Sequence, residues 1–94
     1  MKESTLAELD LDLLRALAAL LQERHVSAAA ATLGVTQPTM SRRLKRLREI
    51  FRDPLLVPMR RGMRLTPRAE SMRDSVQGLL QAMDVMLDPK AKLR

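Results

Sequence analysis

The chain has 94 residues, of which 46% are hydrophobic, and its formal net charge at pH 7 is +6. That length provides one domain with a modest core, and the hydrophobic content excludes a chain that is disordered throughout. The absence of Cys excludes disulfides and thiolate metal sites. With one His and no glycine-rich phosphate loop, the sequence predicts no enzyme, no catalytic residue, no metal and no cofactor.

The positive charge is concentrated in one segment. Residues 1–41 carry three Lys or Arg against five acidic residues, residues 42–68 carry ten against two, and residues 69–94 carry four against four. A basic segment of this density indicates an anionic partner. The apolar runs are too short to span a membrane, and residues 1–8 lack the apolar stretch of a secretory signal, so a cytoplasmic location is expected.

A first helix is predicted after a flexible tail at residues 1–8. Asp10 or Asp12 can cap it, because short carboxylates accept hydrogen bonds from free N–H groups. Leucines at helical spacing form its apolar stripe: Leu13, Leu14, Leu17, Leu20 and Leu21. The helix is expected to run to about Arg24, and His25 after it is interpreted as a surface or capping residue.

A second helix is predicted from the alanine-rich stretch that follows. Ser27 is its candidate cap, and Gly34 can adopt the left-handed conformation that ends it. Four consecutive alanines give this helix little side-chain bulk, so a neighbouring helix can approach closely. That property suits the tight corner of a helix-turn-helix motif.

A third helix is predicted to have two different faces. Thr36 can cap it, with Gln37 and Pro38 in its first turn, where proline is tolerated. At about 100° per residue, one arc is apolar and is expected to be buried: Met40, Leu44, Leu47 and Phe51. The opposite arc is polar and is expected to be free: Pro38, Ser41, Arg42 and Lys45.

A short β-hairpin is predicted after the helix-breaking pair Asp53-Pro54. Its strands are expected at residues 55–57 and 63–66, with Arg60, Arg61 and Gly62 in the turn between them. A hairpin this short is not stable alone and must pack on the helices.

A long fourth helix is predicted from Thr66-Pro67 to Asp88-Pro89, with Thr66 as its cap. One side carries an apolar stripe: Met72, Val76, Leu79, Leu80, Met83 and Leu87. The globular part is too small to cover so long a stripe, so burial by a second chain is predicted. The alternative, that the stripe docks on its own domain, stays open.

The polar arc of the third helix has the chemistry that reads DNA. Arg and Gln form paired hydrogen bonds with base edges in the major groove, and apolar groups contact the thymine methyl. The predicted base contacts are Gln37, Pro38, Ser41, Arg42 and Lys45. Arg43, Arg46 and Arg48 are expected to meet phosphates or solvent. Arg60, Arg61 and Arg64 are expected at the minor groove or at phosphates. A solvated basic face and an ordinary charged turn are the competing interpretations.

Several of these segments resemble a known family. The strings "SAAAATLGVTQPTMSRRLKRLREIFRDPLLV" and "RRGMRLTPRAE" are similar to the N-terminal DNA-binding domain of LysR-type transcriptional regulators. The resemblance covers about residues 9–88. One departure is Pro58-Met59, which stands where Arg-Thr or Arg-Ser is common in the family.

The resemblance implies a mainly α fold, a winged helix-turn-helix of three helices plus a short β-hairpin wing, followed by a long C-terminal linker helix. The expected organisation is a tail at residues 1–8, the winged domain at 9–66, the linker helix at 67–88 and a flexible tail at 89–94. The hydroxyls of Ser27, Thr36 and Thr39 are expected at phosphates. Linker helices of the family pair in a homodimer, and a small-molecule inducer binds a C-terminal domain that is absent from this sequence.

The functional prediction is a sequence-specific, dimeric transcriptional regulator domain that binds double-stranded DNA as a rough palindrome. Two alternatives remain open at this point. A protein-interaction module would use the basic segment only for solubility and would show no steep salt dependence with DNA. A non-specific nucleoid protein would bind scrambled DNA as well as a selected site.

Overall fold

The computed structural model describes residues 7–90 and has the predicted mainly α architecture. Its elements are α1 (Leu11–Glu23), α2 (Val26–Leu33), α3 (Gln37–Phe51), β1 (Leu56–Pro58), β2 (Met63–Leu65) and α4 (Pro67–Leu87). Helices α2 and α3 form the helix-turn-helix, the two antiparallel strands form the wing, and α4 is the long terminal helix. The predicted winged helix-turn-helix with a linker helix is confirmed.

Side chains cap the start of each of these helices. Asp10 Oδ1 accepts the N–H of Leu13 at 2.8 Å, which decides between the two predicted caps of α1. Thr36 caps α3 as predicted, and its Oγ1 accepts the N–H of Thr39 at 3.3 Å. Thr66 caps α4 in the same way, with its Oγ1 3.1 Å from the backbone nitrogen of Ala69.

The prediction that Ser27 caps α2 is wrong. The helix begins at Val26, and His25 Nδ1 accepts the N–H of Ala28 at 3.2 Å. The imidazole stands three residues before that donor and so fills the role of a capping oxygen. Ser27 therefore lies exposed in the first turn, while the interpretation of His25 as a capping residue is confirmed. Gly34 ends α2 with φ +68°, as predicted.

The core is aliphatic and lies where α1, α2 and α3 meet. All five leucines of the predicted α1 stripe are buried. On α2 the buried residues are Ala29 and Ala30, whose small side chains let the neighbouring helices approach closely. Met40, Leu44 and Leu47 bury the apolar face of α3, and Phe51 is half-buried at its end.

The wing is a three-residue pairing anchored by its inward side chains. Leu56 pairs with Leu65, Val57 with Arg64 and Pro58 with Met63. Its turn is closed by a 2.9 Å hydrogen bond from Met59 N–H to Gly62 O, and Gly62 has φ +75°. The first strand begins one residue later than predicted, because Leu55 adopts a left-handed conformation, with φ +63°.

Helix α4 packs one side on its own domain. Val76 is only 7% exposed, and Met72, Leu80 and Met83 are half-buried against the same core. The prediction that a second chain covers the whole stripe is therefore corrected for Val76, which α4 presents to its own core. Other members of the stripe are accessible to solvent: Leu79 is 49% and Leu87 69% exposed.

The ends of the chain lie partly within the described range. Residues 7 and 8 of the predicted tail are helical, and Glu8 Oε1 pairs with Arg46 Nη2 at 3.2 Å. Residues 89 and 90 form a turn. The rest of the two predicted tails, residues 1–6 and 91–94, lies outside the described residues.

Candidate nucleic-acid interface

The N-terminal half of α3 presents a polar surface, here called the reading face. It consists of the five predicted base-contacting residues: Gln37, Pro38, Ser41, Arg42 and Lys45. All are exposed except Ser41, which is half-buried. Because the apolar arc of the same helix is buried, the reading face points away from the core and is free along its length.

Hydrogen bonds within this surface hold its side chains along the helix. Gln37 Nε2 donates to Ser41 Oγ at 2.9 Å, and Arg42 Nη2 donates to Thr39 Oγ1 at 3.2 Å. Thr36 Oγ1 also donates to Thr39 Oγ1, at 2.9 Å. These bonds are solvent-exposed, so exchanging them for bonds to a ligand leaves no buried polar group unsatisfied. The arrangement thus limits side-chain freedom while keeping the groups available.

The wing places its predicted cations in solvent. Arg60 and Arg61 are exposed in the turn, and Arg64 is exposed on β2. On either side of Arg64 in the strand, Met63 is half-buried and Leu65 is buried. Met59 next to them is 50% exposed. The wing therefore combines an inward apolar side with a cationic tip.

Not all of the basic segment is available for a ligand. Arg48 donates from Nε to Pro54 O at 2.8 Å and from Nη2 to Leu56 O at 2.9 Å, so the expectation that it meets phosphate or solvent is corrected. Arg68 donates to Phe51 O at 2.6 Å and lies over the Phe51 ring at 5.7 Å. Arg46 pairs with Glu8, but both side chains are more than 40% exposed, so this pair exchanges at little cost. Arg43 is half-buried on the same helix.

Asp53 joins α3, the wing and α4. Its Oδ2 accepts the Thr66 hydroxyl at 2.6 Å and the Leu55 N–H at 2.8 Å. These hydrogen bonds, the Thr66 bond first, and the nearby Arg68 charge lower the pKa of Asp53 below its ordinary value, against a smaller opposing effect of desolvation. The ionised form of the Asp53 carboxylate therefore stabilises the folded state more than the neutral form does.

Replacing Asp53 with Asn is expected to remove a pH-dependent part of the stability. Because the folded pKa is lowered, the carboxylate stabilises fully above the unfolded pKa of about 3.9 and loses its effect as pH falls through the folded pKa. The difference in free energy of unfolding between wild type and Asp53→Asn should thus be constant near neutral pH and shrink below about pH 4. Urea unfolding across pH measures it, with Asp74→Asn as the control for one lost surface charge. A difference that does not change with pH would contradict the assignment.

A concave surface lies away from the reading face. It is a groove of about 670 Å³ between α1, α2 and the second half of α4. Its apolar lining includes Leu11, Leu80, Met83 and Leu87. Within residues 7–90, no group of His, Asp and Glu side chains has the arrangement of a metal site. No helix in that range is long and apolar enough to cross a membrane.

Comparison with known proteins decides the family. The model of the bacterial regulatory helix-turn-helix proteins of the lysR family matches residues 11–70, more than half of the chain. The chain belongs to the lysR family. This LysR-type domain is 47% identical over 83 residues to the HTH-type transcriptional regulator SyrM of Rhizobium meliloti strain 1021, covering 88% of the chain and 26% of that protein. It is 51% identical over 74 residues to the HTH-type transcriptional regulator LinR of Sphingobium indicum, covering 79% of the chain and 24% of the relative.

Solved structures give the same result for the fold. The probable transcriptional regulator PA0477 from Pseudomonas aeruginosa matches with a TM-score of 0.83 and 34% identity, over 90% of the LysR-type domain and 28% of that chain. The BenM_DBD chain, solved in complex with benA site 1 DNA, matches with a TM-score of 0.75 and 29% identity, over 84% of this domain and 89% of that chain. The domain thus spans about a quarter of the length of the regulators SyrM and LinR. The predicted LysR-type resemblance is confirmed.

Sequence reasoning missed the residues that hold the parts of this LysR-type domain together. The sequence indicates a phosphate or solvent contact for Arg48 and only a share of the basic charge for Arg68, although each donates to backbone: Arg48 to two carbonyls and Arg68 to one. The spacing of Asp53 and Thr66, which lie 13 residues apart, gave no local signal of their hydrogen bond.

Proposed function

We propose that this LysR-type domain binds double-stranded DNA sequence-specifically as a homodimer and thereby regulates transcription in the cytoplasm. The single observation that carries the proposal is the reading face: an exposed polar arc on a helix whose opposite side is fixed in the core. The DNA complex of the similar BenM_DBD chain supports the same kind of ligand. The inducer implied by the family belongs to another domain, and no residue of this chain is assigned to it.

In this proposal α3 lies in the major groove. Arg42 pairs with a guanine edge, Gln37 with an adenine edge, and Pro38 contacts a thymine methyl, while Ser41 and Lys45 add single hydrogen bonds. These residues lie in the N-terminal half of the second helix of the motif, the part of a helix-turn-helix that reads bases. Their mutual hydrogen bonds reduce the side-chain entropy that binding must remove.

Phosphate contacts would fix the position of the domain on the duplex. The proposed groups are the hydroxyls of Ser27, Thr36 and Thr39, the guanidinium of Arg43, and the wing arginines Arg60, Arg61 and Arg64. The wing groups are exposed and can enter a minor groove or bind its phosphates. Such contacts release counterions, so affinity should fall steeply with salt.

The homodimer is proposed to form through the exposed part of the α4 stripe. Leu79 and Leu87 are its most accessible predicted members, and the half-buried Met72, Leu80 and Met83 form its edge. Val76 is left out because it is buried in its own protomer. Two protomers related by a two-fold axis would read two half-sites of a rough palindrome.

Selection from a random duplex pool tests the proposal. The purified chain should enrich an interrupted palindrome. Enrichment of single half-sites would contradict the proposed homodimer. Salt-sensitive retention of DNA without enrichment of any sequence would favour the non-specific nucleoid alternative. Binding without salt dependence would favour the interaction-module alternative.

Arg42→Ala is expected to weaken binding to the selected site by about 1–3 kcal/mol and to relax specificity at one base pair of each half-site. The physical reason is the loss of a bidentate contact whose geometry no neighbouring side chain reproduces. Competition between cognate and scrambled duplexes measures the change. Arg43→Ala, a proposed phosphate contact on the same helix, should weaken both duplexes about equally. Unchanged discrimination in Arg42→Ala would refute the assigned role.

A further inference from the structure

Arg48 connects the recognition helix to the wing. It lies in the last turn of α3, and two atoms of its guanidinium donate to two carbonyls at the base of the wing. Nε is 2.8 Å from Pro54 O, and Nη2 is 2.9 Å from Leu56 O. The fork of a guanidinium can hold two acceptors at once in one fixed geometry. Arg48 therefore constrains the direction of the chain as it leaves α3.

The residue between these two carbonyls is in an unfavourable conformation. Leu55 has φ +63° and is 1% exposed, and a left-handed conformation is unfavourable for a non-glycine residue. Its N–H is bonded to Asp53 Oδ2 at 2.8 Å, and its carbonyl accepts the Thr66 N–H at 2.9 Å. Arg48 donates to the carbonyls on both sides of it, and Pro54 O also accepts the Leu56 N–H at 2.6 Å. The surrounding bonds thus hold a backbone turn that the chain would not keep by itself.

The wing needs such an anchor because its own pairing is small. Strands of three residues do not form a stable hairpin without tertiary contacts. Leu55, Leu56 and Leu65 anchor the wing in the core, but apolar burial is non-directional and does not by itself fix the direction of the hairpin. Among the described contacts, the two Arg48 bonds attach the wing base directly to α3 with a defined direction.

We propose that Arg48 is a positioning residue for DNA recognition: it orients the wing relative to α3 so that the reading face and the wing arginines engage the duplex together. It contacts no DNA itself. This inference rests on the proposed function for its consequence on binding, but the positioning is a property of the free protein. Preorganisation of this kind lowers the entropy lost when two separate elements bind at once.

The rival role for Arg48 is a phosphate contact, and conservative substitution separates the two. Lysine supplies a point charge with no planar fork, so Arg48→Lys should restore binding if phosphate is the ligand. If Arg48 positions the wing, Arg48→Lys and Arg48→Met should both weaken binding to the selected site, by about tenfold. Combining Arg48→Met with Arg61→Ala should then weaken binding by less than the product of the single effects, because both remove the wing contact.

The first measurement needs no DNA. Residual dipolar couplings of backbone amides in the full 94-residue chain report the orientation of the wing relative to α3. Wild type and Arg43→Met should fit one rigid orientation, whereas Arg48→Met and Arg48→Lys should show reduced wing couplings with unchanged couplings in α1. Wing couplings equal to wild type in both Arg48 variants would overturn the proposal. Altered α1 couplings would reveal a general folding defect in place of a positioning effect.

Hydroxyl-radical and guanine-methylation footprints on the selected duplex complete the test. In Arg48→Met, wing protection should be lost while major-groove protection by α3 remains. Loss of both protections together, or restoration by Arg48→Lys, would overturn the positioning role. If wild type fails to distinguish the selected from the scrambled duplex, the proposed function fails, and the couplings still decide whether Arg48 orients the wing.

Discussion

Leu79→Asp is expected to convert the protein from a dimer to a monomer. Leu79 is 49% exposed on α4, on the same side of the helix as Met86, which lies two turns further on and is 68% exposed. A carboxylate at the centre of an apolar interface would lose its hydration without gaining a partner, which costs several kcal/mol. Sedimentation velocity at several protein concentrations measures the change. Gln81→Asp, on the opposite side of the same helix, is the matched control and should remain dimeric.

The same substitution should weaken DNA binding without touching the reading face. A dimer binds its second half-site as an intramolecular event, which strengthens binding by about 10²–10⁴-fold. Leu79→Asp should therefore lose most of its affinity for the palindrome and keep wild-type affinity for an isolated half-site. A variant that stays dimeric would show that the exposed α4 stripe is not the interface. A monomeric variant that keeps full affinity for the palindrome would show that dimerisation does not contribute to DNA binding.

Leu79 is a better test than its neighbours because of how α4 packs. Val76 is buried in its own domain, and Leu80 and Met83 are half-buried there, so a charge at any of them would destabilise the protomer as well as disturb a partner. The stripe is one feature in sequence but has two environments in the structure. Helical periodicity predicts which residues share a face, and it contains no information about which chain covers that face.

Features governed by local chemistry were predicted well. The Thr36 cap, the left-handed Gly34, the helix break at Asp53-Pro54 and the Thr66 cap all follow from groups within a few residues of each other. The burial of the α1 and α3 stripes also follows, since the 3.6-residue period leaves one face for the core. Because the apolar arc of α3 is buried, the opposite arc must face solvent. The five residues of the reading face could therefore be named from the sequence. Their contacts with bases remain a prediction.

Features governed by distant partners could not be predicted. The cap of α2 is a local exception: His25 and Ser27 both carry acceptors near its start, and the sequence pattern favours Ser27, although His25 accepts the Ala28 N–H. Arg48 and Arg68 carry the same charge as Arg60 and Arg61, but backbone carbonyls occupy their guanidinium groups. Counting charge along the sequence therefore overstates the cations that DNA can reach. The salt dependence of binding should reflect the exposed arginines, not the full charge of the basic segment.

Leu47→Ala is expected to lower the free energy of unfolding by about 2–5 kcal/mol, a large part of the about 5–15 kcal/mol typical of a folded domain. Leu47 is 0% exposed on the buried arc of α3, so truncation leaves a cavity between helices that cannot close completely. Arg42→Ala is the matched control: it lies on the same helix, and its loss should change stability by less than about 0.5 kcal/mol. Urea unfolding at one fixed protein concentration measures both.

The two substitutions should differ in their effect on DNA discrimination. At a temperature where both variants are folded, Leu47→Ala should discriminate between selected and scrambled duplexes as wild type does, because its reading face is unchanged. Arg42→Ala should fold normally and discriminate poorly. If Leu47→Ala no longer discriminates between the two duplexes while fully folded, then packing in the core also determines how α3 is positioned in the major groove of the DNA. If Arg42→Ala is strongly destabilised, its bond to Thr39 contributes to folding as well as to recognition, and the two faces of α3 are not independent.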